Sequence, residues 1–572
     1  MRVAGQGSGG PCFEIGLTMA GAVSAGAYTA GVLDFLVEAL DKWHAAKACG
    51  RDDVPDHRIN LRVMSGASAG ALSAVILAAN ARVPFPAVHY DNRAALGPQN
   101  PLYDAWVNRI DMSELLKIDD IVNGDVPLSL LNTGIIDRIG KEVVRQTTDG
   151  LKRDYISETL RTIVTLTNIT GVPYVLPAQA VSQNRQVIVA HDDVMQFVMT
   201  NAGSGEGKPP NDTAGYGREY VVDLANCGST INLVRNAAIA SAAFPLGLRP
   251  RTLNRDRSDY NGRPLLLPRA SAGEQDDVIR LVPSWPPEPK SYRFVNFDGG
   301  CIDNSPFEWA RTALSGGLDQ HNARAGNEAS KAVIIIDPFP QVDYSTPVST
   351  EAAVPLHMAA LTLLGVYKDQ ARFRSDELAL ANDSSVYSRF LIAPVRPEPG
   401  VDGAPDSKSA NGPWIASGAL GGFSGFFHSS YREHDFQLGR RNCQQFLRAN
   451  FTLSKDNPLF ASWRNAPWAE RYKVPIEGGS YELPVIPLMD ELLASEEKLP
   501  SWPYVKFQPE ALRGAISSRS NAIFAAWMKN QSWWSSFAHL AWMVWGRGKV
   551  TDEAISAVSR GLQAQRLLPD AA

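Results

Sequence analysis

Short apolar runs bounded by small residues alternate along the chain with longer segments of helical periodicity. The first run, Phe13–Met19, is followed by a small-residue turn and then a helix with Leu33, Leu36 and Leu40 on one face. The same order recurs over residues 59–80, and further strand-like runs follow at 162–170, 292–298 and 331–339. Strands that alternate with helices predict an α/β fold, with a sheet covered by helices on both faces.

A polar segment rich in proline and glycine, residues 396–413, divides the chain into two predicted regions. The first region, 12–395, carries the alternating strands and helices. The second region, 414–572, is predicted to be mainly helical and is rich in tryptophan. Within it, residues 431–447 are predicted to form a helix with a polar face, for which the sequence indicates no function.

The tryptophan-rich end of the second region permits two interpretations. Trp533, Trp534, Trp542 and Trp545 fall on a helix that is apolar over much of its circumference. Packing against the first region explains such a helix. Peripheral contact with a membrane also explains it, because tryptophan favours the membrane interface and basic residues flank the segment.

Composition excludes several classes of protein. The 572 residues are 44% apolar and carry a net charge of -5, which provides no basic surface for nucleic acid. Five scattered cysteines suggest neither a disulfide framework nor a zinc site, and they fit a reducing cytoplasm. No run approaches the roughly 18 unbroken apolar residues of a spanning helix. Residues 16–36 resemble an export signal in part, but Glu14 precedes them and Arg2 is the only early cation.

A G-x-S-x-G pattern, Gly66–Gly70, lies on the predicted turn from a buried strand into a buried helix. In this context the two glycines permit a crowded turn that projects the serine hydroxyl from the edge of the sheet. The start of the helix adds N–H groups that favour developing negative charge. Ser68 is therefore the candidate nucleophile.

A base for this serine is suggested by a carboxylate at the end of another strand. Asp298 follows the apolar run at 292–298 and precedes Gly299 and Gly300, so it lies at the sheet edge where α/β folds place their sites. The next helix is predicted to begin with Ser305 as N-cap, Pro306 in the first turn and Glu308 closing a capping box. These features follow Asp298 directly, so the predicted base lies in the connection between a strand and a helix.

Together these segments resemble the patatin-like phospholipase family. The resemblance lies in a Gly-rich loop at 21–26, the G-x-S-x-G at 66–70, the D-G-G at 298–300 and the A-S-x-A-x-P-like segment within 237–250, and it spans about residues 12–340. It implies a patatin-like catalytic domain over 12–395 and a Ser68–Asp298 dyad that cleaves lipid acyl esters. It implies no metal ion and no organic cofactor.

The resemblance also implies that the backbone N–H groups of Gly21, Ala22 and Val23 form the oxyanion hole. The family's usual loop has three consecutive glycines and then a basic residue, whereas this loop lacks two glycines and the basic residue. Backbone donors survive such replacements. Alanine and valine nevertheless tolerate a left-handed backbone less readily than glycine does.

Two alternatives stay open from the sequence. One is an esterase with a Ser-Asp-His triad that uses a histidine after Asp298, such as His428 or His434. The other is a catalytically silent patatin-like fold that binds a lipid or a protein partner. The expectation is a cytoplasmic lipid acyl hydrolase of the phospholipase A or lysophospholipase kind, with peripheral contact to a membrane and no nucleic-acid partner.

Overall fold

A mostly parallel sheet forms the centre of the protein. The computed structural model describes residues 10–121, 126–146, 150–176, 186–208, 217–267, 277–286, 288–318, 320–339, 370–371, 379–396, 415–505, 507–529 and 546–568. The strands in these residues are β1 (Cys12–Met19), β2 (Arg58–Gly66), β3 (Ile156–Val175), β4 (Val187–Thr200), β5 (Glu219–Asp223), β6 (Arg251–Asp256), β7 (Arg263–Leu267), β8 (Asp277–Leu281), β9 (Ser291–Asp298), β10 (Lys331–Ile336), β11 (Arg389–Ile392), β12 (Thr452–Ser454), β13 (Val474–Pro475) and β14 (Tyr481–Pro484).

The main path of the sheet runs β11-β10-β1-β2-β3-β4-β5, and β9 pairs with both β3 and β6. The first five strands of this path are parallel to one another, whereas β3 pairs antiparallel with β4 and with β9. Two small antiparallel sheets, β7-β8 and β12-β14-β13, lie outside it. The α/β class predicted from the sequence is confirmed, and the predicted strands coincide with β1, β2, β3, β9 and β10.

Helices connect and cover these strands. In the described residues they include α1 (Gly26–Ala48), α2 (Ala69–Ala79), α3 (Arg93–Leu96), α4 (Pro101–Tyr103), α5 (Met112–Leu115), α6 (Gly134–Val143), α7 (Thr230–Ser241), α8 (Phe307–Ser315), α9 (Ser429–Ala449), α10 (Asp490–Ala494), α11 (Arg513–Lys529) and α12 (Arg547–Ala564). One face of the sheet packs on α8, where Phe307 meets Val63 and Val333. The opposite face packs on α1 and α2 in the larger core.

The stretch that resembled an export signal lies in this larger core. Residues 16–36 form the end of β1, a tight turn and the first half of α1, and all of them are buried. The segment Val23–Ala48 is apolar and long enough to span a membrane, but 94% of its most apolar window is buried inside the structure. Core helices of soluble proteins and signal sequences both share this length and apolar character.

The predicted start of α8 is wrong in detail. The helix begins at Phe307, Pro306 occupies the N-cap position, and no side chain caps the helix. The Glu308 carboxylate instead binds Arg311, one turn along the same helix. Proline has no side-chain oxygen to accept a hydrogen bond, so with Pro306 at the N-cap position the capping box is not formed.

Helix α9 is the element that sequence analysis described least well. It was predicted to have a polar face, yet almost every residue from Tyr431 to Leu447 is buried, and it packs lengthwise against α1. The two helices meet at Gly31 and Gly439, where an added Cβ would collide with the carbonyl oxygens of Phe436 and Tyr28 respectively. Backbone packs directly on backbone at this crossing.

The polar side chains of α9 find their partners inside the protein. Arg440 is fully buried and donates to Glu38 at 2.6 Å and to Glu497 at 2.9 Å, and it also binds Asp34. His89 contacts Glu38 at 3.1 Å and Glu497 at 3.2 Å, and hydrogen bonds to these two carboxylates raise the pKa of His89 to about 9. The network therefore joins two protonated bases to three carboxylates.

The two regions predicted from sequence share one core. Helix α9 belongs to the second region, and its apolar side chains join the same buried cluster as those of β1 and α1. The segment that was predicted to divide the regions lies mostly outside the described residues, so the division at 395 and 414 stays a prediction. The tryptophan-rich segment lies largely outside them too, since residues 530–545 are not described.

We expect Gly439→Ala to lower the free energy of unfolding by about 2–3 kcal/mol, because the new methyl group forces α1 and α9 apart. The matched control is Gly514→Ala on α11, where an added Cβ meets no atom within 4 Å and the effect should stay within about 1 kcal/mol. Chemical denaturation of both variants measures the difference. Equal stability of the two variants would contradict the close backbone crossing.

Candidate active site

Ser68 lies on a strained turn between β2 and α2. Its backbone adopts φ 53° and ψ -123°, a conformation that costs a non-glycine residue about 1–3 kcal/mol. The flanking glycines make the turn possible, because a Cβ on Gly70 would collide with the carbonyl of Met19. A Cβ on Gly66 would lie 2.6 Å from the backbone of Gly70 and Ala71. This is the geometry that the G-x-S-x-G pattern predicted.

The structure brings Ser68 and Asp298 together. The Ser68 hydroxyl donates a hydrogen bond of 2.7 Å to Asp298 Oδ2, and both side chains are buried. The second carboxylate oxygen, Oδ1, accepts the N–H of Gly300 at 2.7 Å, which fixes the plane of the carboxylate. A serine hydroxyl that donates to a buried carboxylate at a helix N-terminus is arranged for proton removal and nucleophilic attack.

Strand β3 is the reason that these residues meet. It pairs with β2 so that Gly66 lies opposite Val164, and it pairs with β9 so that Asp298 lies opposite Leu166. The end of β2 and the end of β9 therefore flank neighbouring positions of one strand. The two functional groups approach each other although 230 residues separate them in sequence.

The histidines of the proposed triad have other partners. His428 is the N-cap of α9, where its Nδ1 accepts the N–H of Ser430 at 3.1 Å. His434 is buried between Asp435, at 2.8 Å, and Arg396, at 2.5 Å. Neither histidine lines the cavities at Ser68, so the structure does not support a Ser-Asp-His triad built on them.

The predicted oxyanion loop needs one correction. The N–H of Gly21 donates to the carbonyl of Asn304 at 3.0 Å, so it is not directed at a substrate. The N–H groups of Ala22 and Val23 have no acceptor among the described residues, and both residues line a cavity beside Ser68. The N–H of Ala69, in the first turn of α2, likewise has no described acceptor.

Val23 has a left-handed backbone, the conformation that valine tolerates less readily than glycine. Its φ is 50°, in the left-handed region that a β-branched residue seldom adopts. Ala22, by contrast, has φ -146° and is not strained in this way. The strain in this part of the loop therefore falls on one residue, Val23.

Two serines missed by sequence analysis hold the loop and the nucleophile. The hydroxyl oxygen of Ser24 accepts the N–H of Gly425 at 3.0 Å, and the hydroxyl donates to the carbonyl of Gly422. The hydroxyl oxygen of Ser241 accepts the N–H of Ser68 at 2.8 Å. Ser241 lies in the A-S-x-A-x-P-like segment, so the resemblance pointed to the segment without assigning it a role.

Two cavities meet at Ser68. One is lined almost entirely by apolar side chains, including those of Leu72 and Phe244. The other is lined by Asp298 and Asn304 as well as by the loop at 21–23. Both cavities expose mainly apolar surface beside Ser68.

One group of residues elsewhere has the spacing of metal ligands. Among the described residues, the three side chains Glu38, His89 and Glu497 form this group at the crossing of α1 and α9. The guanidinium of Arg440 lies between the two carboxylates, so a cationic group is already present there. None of these residues lines the cavities at Ser68.

No protein-family model matches the chain. The chain is 34% identical over 530 residues to the uncharacterized protein y4iI of Sinorhizobium fredii, and the alignment covers 86% of this chain and 72% of that protein. The chain belongs to the same family as y4iI.

Among solved structures, VipD from Legionella pneumophila aligns with 97% of this chain and 89% of its own. The sequences are 11% identical in this alignment, and the TM-score is 0.19. A score this low does not indicate a shared fold.

The strain at Val23 predicts an inverted order of stability. Val23→Gly should be at least as stable as Val23→Ala, because glycine adopts φ 50° at no steric cost and alanine does not. At the unstrained Ala22, replacement by glycine should instead cost about 0.5–1 kcal/mol. Chemical denaturation of the three variants tests this. If Val23→Ala is more stable than Val23→Gly by about 0.5–1 kcal/mol, as expected at an unstrained position, the backbone of Val23 is not left-handed.

Proposed function

We propose that this protein is a lipid acyl hydrolase that cleaves carboxylic esters through Ser68, with Asp298 as the base. The observation that carries the proposal is the 2.7 Å hydrogen bond from the Ser68 hydroxyl to Asp298, at a helix N-terminus and beside an apolar cavity. The resemblance to patatin-like phospholipases in the same residues supports it. Within this class, glycerolipids are the proposed substrates, attacked in the manner of a phospholipase A or lysophospholipase.

The reaction proceeds by acyl transfer in two steps. Asp298 accepts the hydroxyl proton as Ser68 Oγ bonds to the ester carbonyl carbon, and the N–H groups of Ala22, Val23 and Ala69 stabilise the oxyanion. The carbonyl then re-forms, the ester C–O bond breaks, and the leaving alcohol takes the proton from Asp298. A water molecule next attacks the acyl-enzyme, again losing a proton to Asp298, and the fatty acid leaves as Ser68 recovers its proton.

The apolar cavity favours a lipid over a small polar ester. Burying each methylene of an acyl chain contributes about 0.8 kcal/mol, so a cavity lined mainly by apolar side chains favours binding of an acyl chain. We further propose a cytoplasmic location and peripheral contact with the membrane that holds the substrate. Trp527, at the edge of the tryptophan-rich segment, exposes 51% of its surface and supports this contact.

We expect Ser68→Ala and Asp298→Asn each to lower kcat/KM for ester hydrolysis by at least about 1000-fold, because each removes one member of a unit that acts together. Both substitutions change the side-chain volume little, so the thermal unfolding temperature should stay close to that of the parent. Hydrolysis of p-nitrophenyl butyrate and of dispersed phosphatidylcholine measures the effect.

The matched control is His428→Gln, which keeps a hydrogen-bond acceptor at the cap of α9 and should retain most of the activity. A loss in this variant as large as that in Asp298→Asn would favour the triad esterase. If the parent protein hydrolyses neither substrate, the silent lipid-binding or partner-binding module becomes the better account.

A further inference from the structure

The apolar cavity beside Ser68 has a direction that the helices around it define. Ser68, Leu72 and Ile76 line it from α2, at successive turns that lead away from the nucleophile. Eight residues of helix span about 12 Å. The cavity is therefore a channel along α2 rather than a hollow around Ser68.

Helix α7 lines the channel in the opposite chain direction. Its C-terminal end lies at the nucleophile, since Ser241 binds the N–H of Ser68. Ala238 lies about one turn before this end and Arg235 about two turns before it, and both line the channel. Arg235 is therefore about 9 Å from Ser241, along the helix axis.

Helix α6 forms the third wall. Ile136, Ile139, Gly140 and Val143 recur at intervals of three and four residues, so they share one helical face, and all four line the channel. At the end remote from Ser68, Asn80 donates to the carbonyl of Val143 at 2.9 Å. This bond fastens the C-terminal ends of α2 and α6 to each other.

The side chain of Arg235 lies across this remote end. A Cβ added at Gly140 would be 3.3 Å from both Cγ and Cδ of Arg235, so the aliphatic part of the arginine faces Gly140. Its guanidinium donates to the side chain of Asn232 at 2.7 Å and, more weakly, to the carbonyl of Val144 at 3.4 Å. The methylenes face the channel while the charged group is held at its outer end.

We infer that this channel binds the acyl chain of the substrate and that Gly140 and Arg235 limit the length of that chain. This inference rests on the function proposed above. One carbon of an extended alkyl chain advances slightly less than the rise per helical residue, so roughly seven to ten carbons reach from Ser68 to the level of Arg235 and Ile76. Medium-chain acyl esters are the preferred substrates, and carbons beyond this length gain no further contact with the channel.

The test compares p-nitrophenyl esters from acetyl to palmitoyl on the full chain, at concentrations below those at which the esters aggregate. For the parent protein, kcat/KM rises about fourfold with each added methylene up to octanoyl or decanoyl and then levels off or falls. Gly140→Leu fills the end of the channel. It lowers the ratio of kcat/KM for the octanoyl ester to kcat/KM for the butyryl ester at least about tenfold. Arg235→Ala opens the end and moves the optimum to longer chains.

The matched control is Lys141→Leu, which places the same side chain on the exposed face of the same helix and leaves the profile unchanged. Thermal unfolding of each variant establishes that it is folded. If Gly140→Leu does not fold, the change in preferred chain length of Arg235→Ala tests the inference by itself. A parent profile that keeps rising up to palmitoyl, or variants that change all chain lengths equally, overturns the inference and leaves the hydrolase intact. Absence of hydrolysis at every length overturns both.

Discussion

The left-handed backbone of Ser68 is the constraint on which the rest of the site depends. A residue with a side chain holds this conformation only when its surroundings leave no alternative. Here β1 supplies them, because the carbonyl of Met19 lies where a side chain on Gly70 would be. Ser241 adds a hydrogen bond to the N–H of Ser68. The turn, the neighbouring strand and the end of α7 thus fix the position from which the hydroxyl reaches Asp298.

The same site depends on residues far along the chain. Ser24, in the loop next to the nucleophile, is held by the backbone of Gly422 and Gly425. The latter two precede α9, whose backbone packs on α1 at Gly31 and Gly439. Ser24 and residues 422–425 therefore connect the loop that contains Ala22 and Val23 to the start of α9. For this reason the C-terminal region is part of the architecture of the site, although it supplies no residue of the dyad.

Sequence patterns predicted those features that follow from local spacing. The strands, the turn at Gly66–Gly70 and the position of Asp298 at a strand end follow from apolar periodicity and small residues. The sequence patterns did not predict which residues are buried where burial depends on partners distant in sequence. Arg440 on α9 reads as a solvent-exposed residue, and only the fold shows that Glu38 and Glu497 surround it. The hydrogen bond from the Gly21 N–H to the carbonyl of Asn304 could not be predicted for the same reason, since the two residues are 283 positions apart.

The central claim is that Ser68 is a nucleophile activated by Asp298. Its most direct measurement is reaction of the full chain with a fluorophosphonate, followed by mass-spectrometric mapping of the modified peptide. The account predicts a single adduct on the Ser68 hydroxyl, and it predicts that Asp298→Asn abolishes the adduct while the protein stays folded. Absence of an adduct in the parent protein, or an adduct on a different serine, would contradict it.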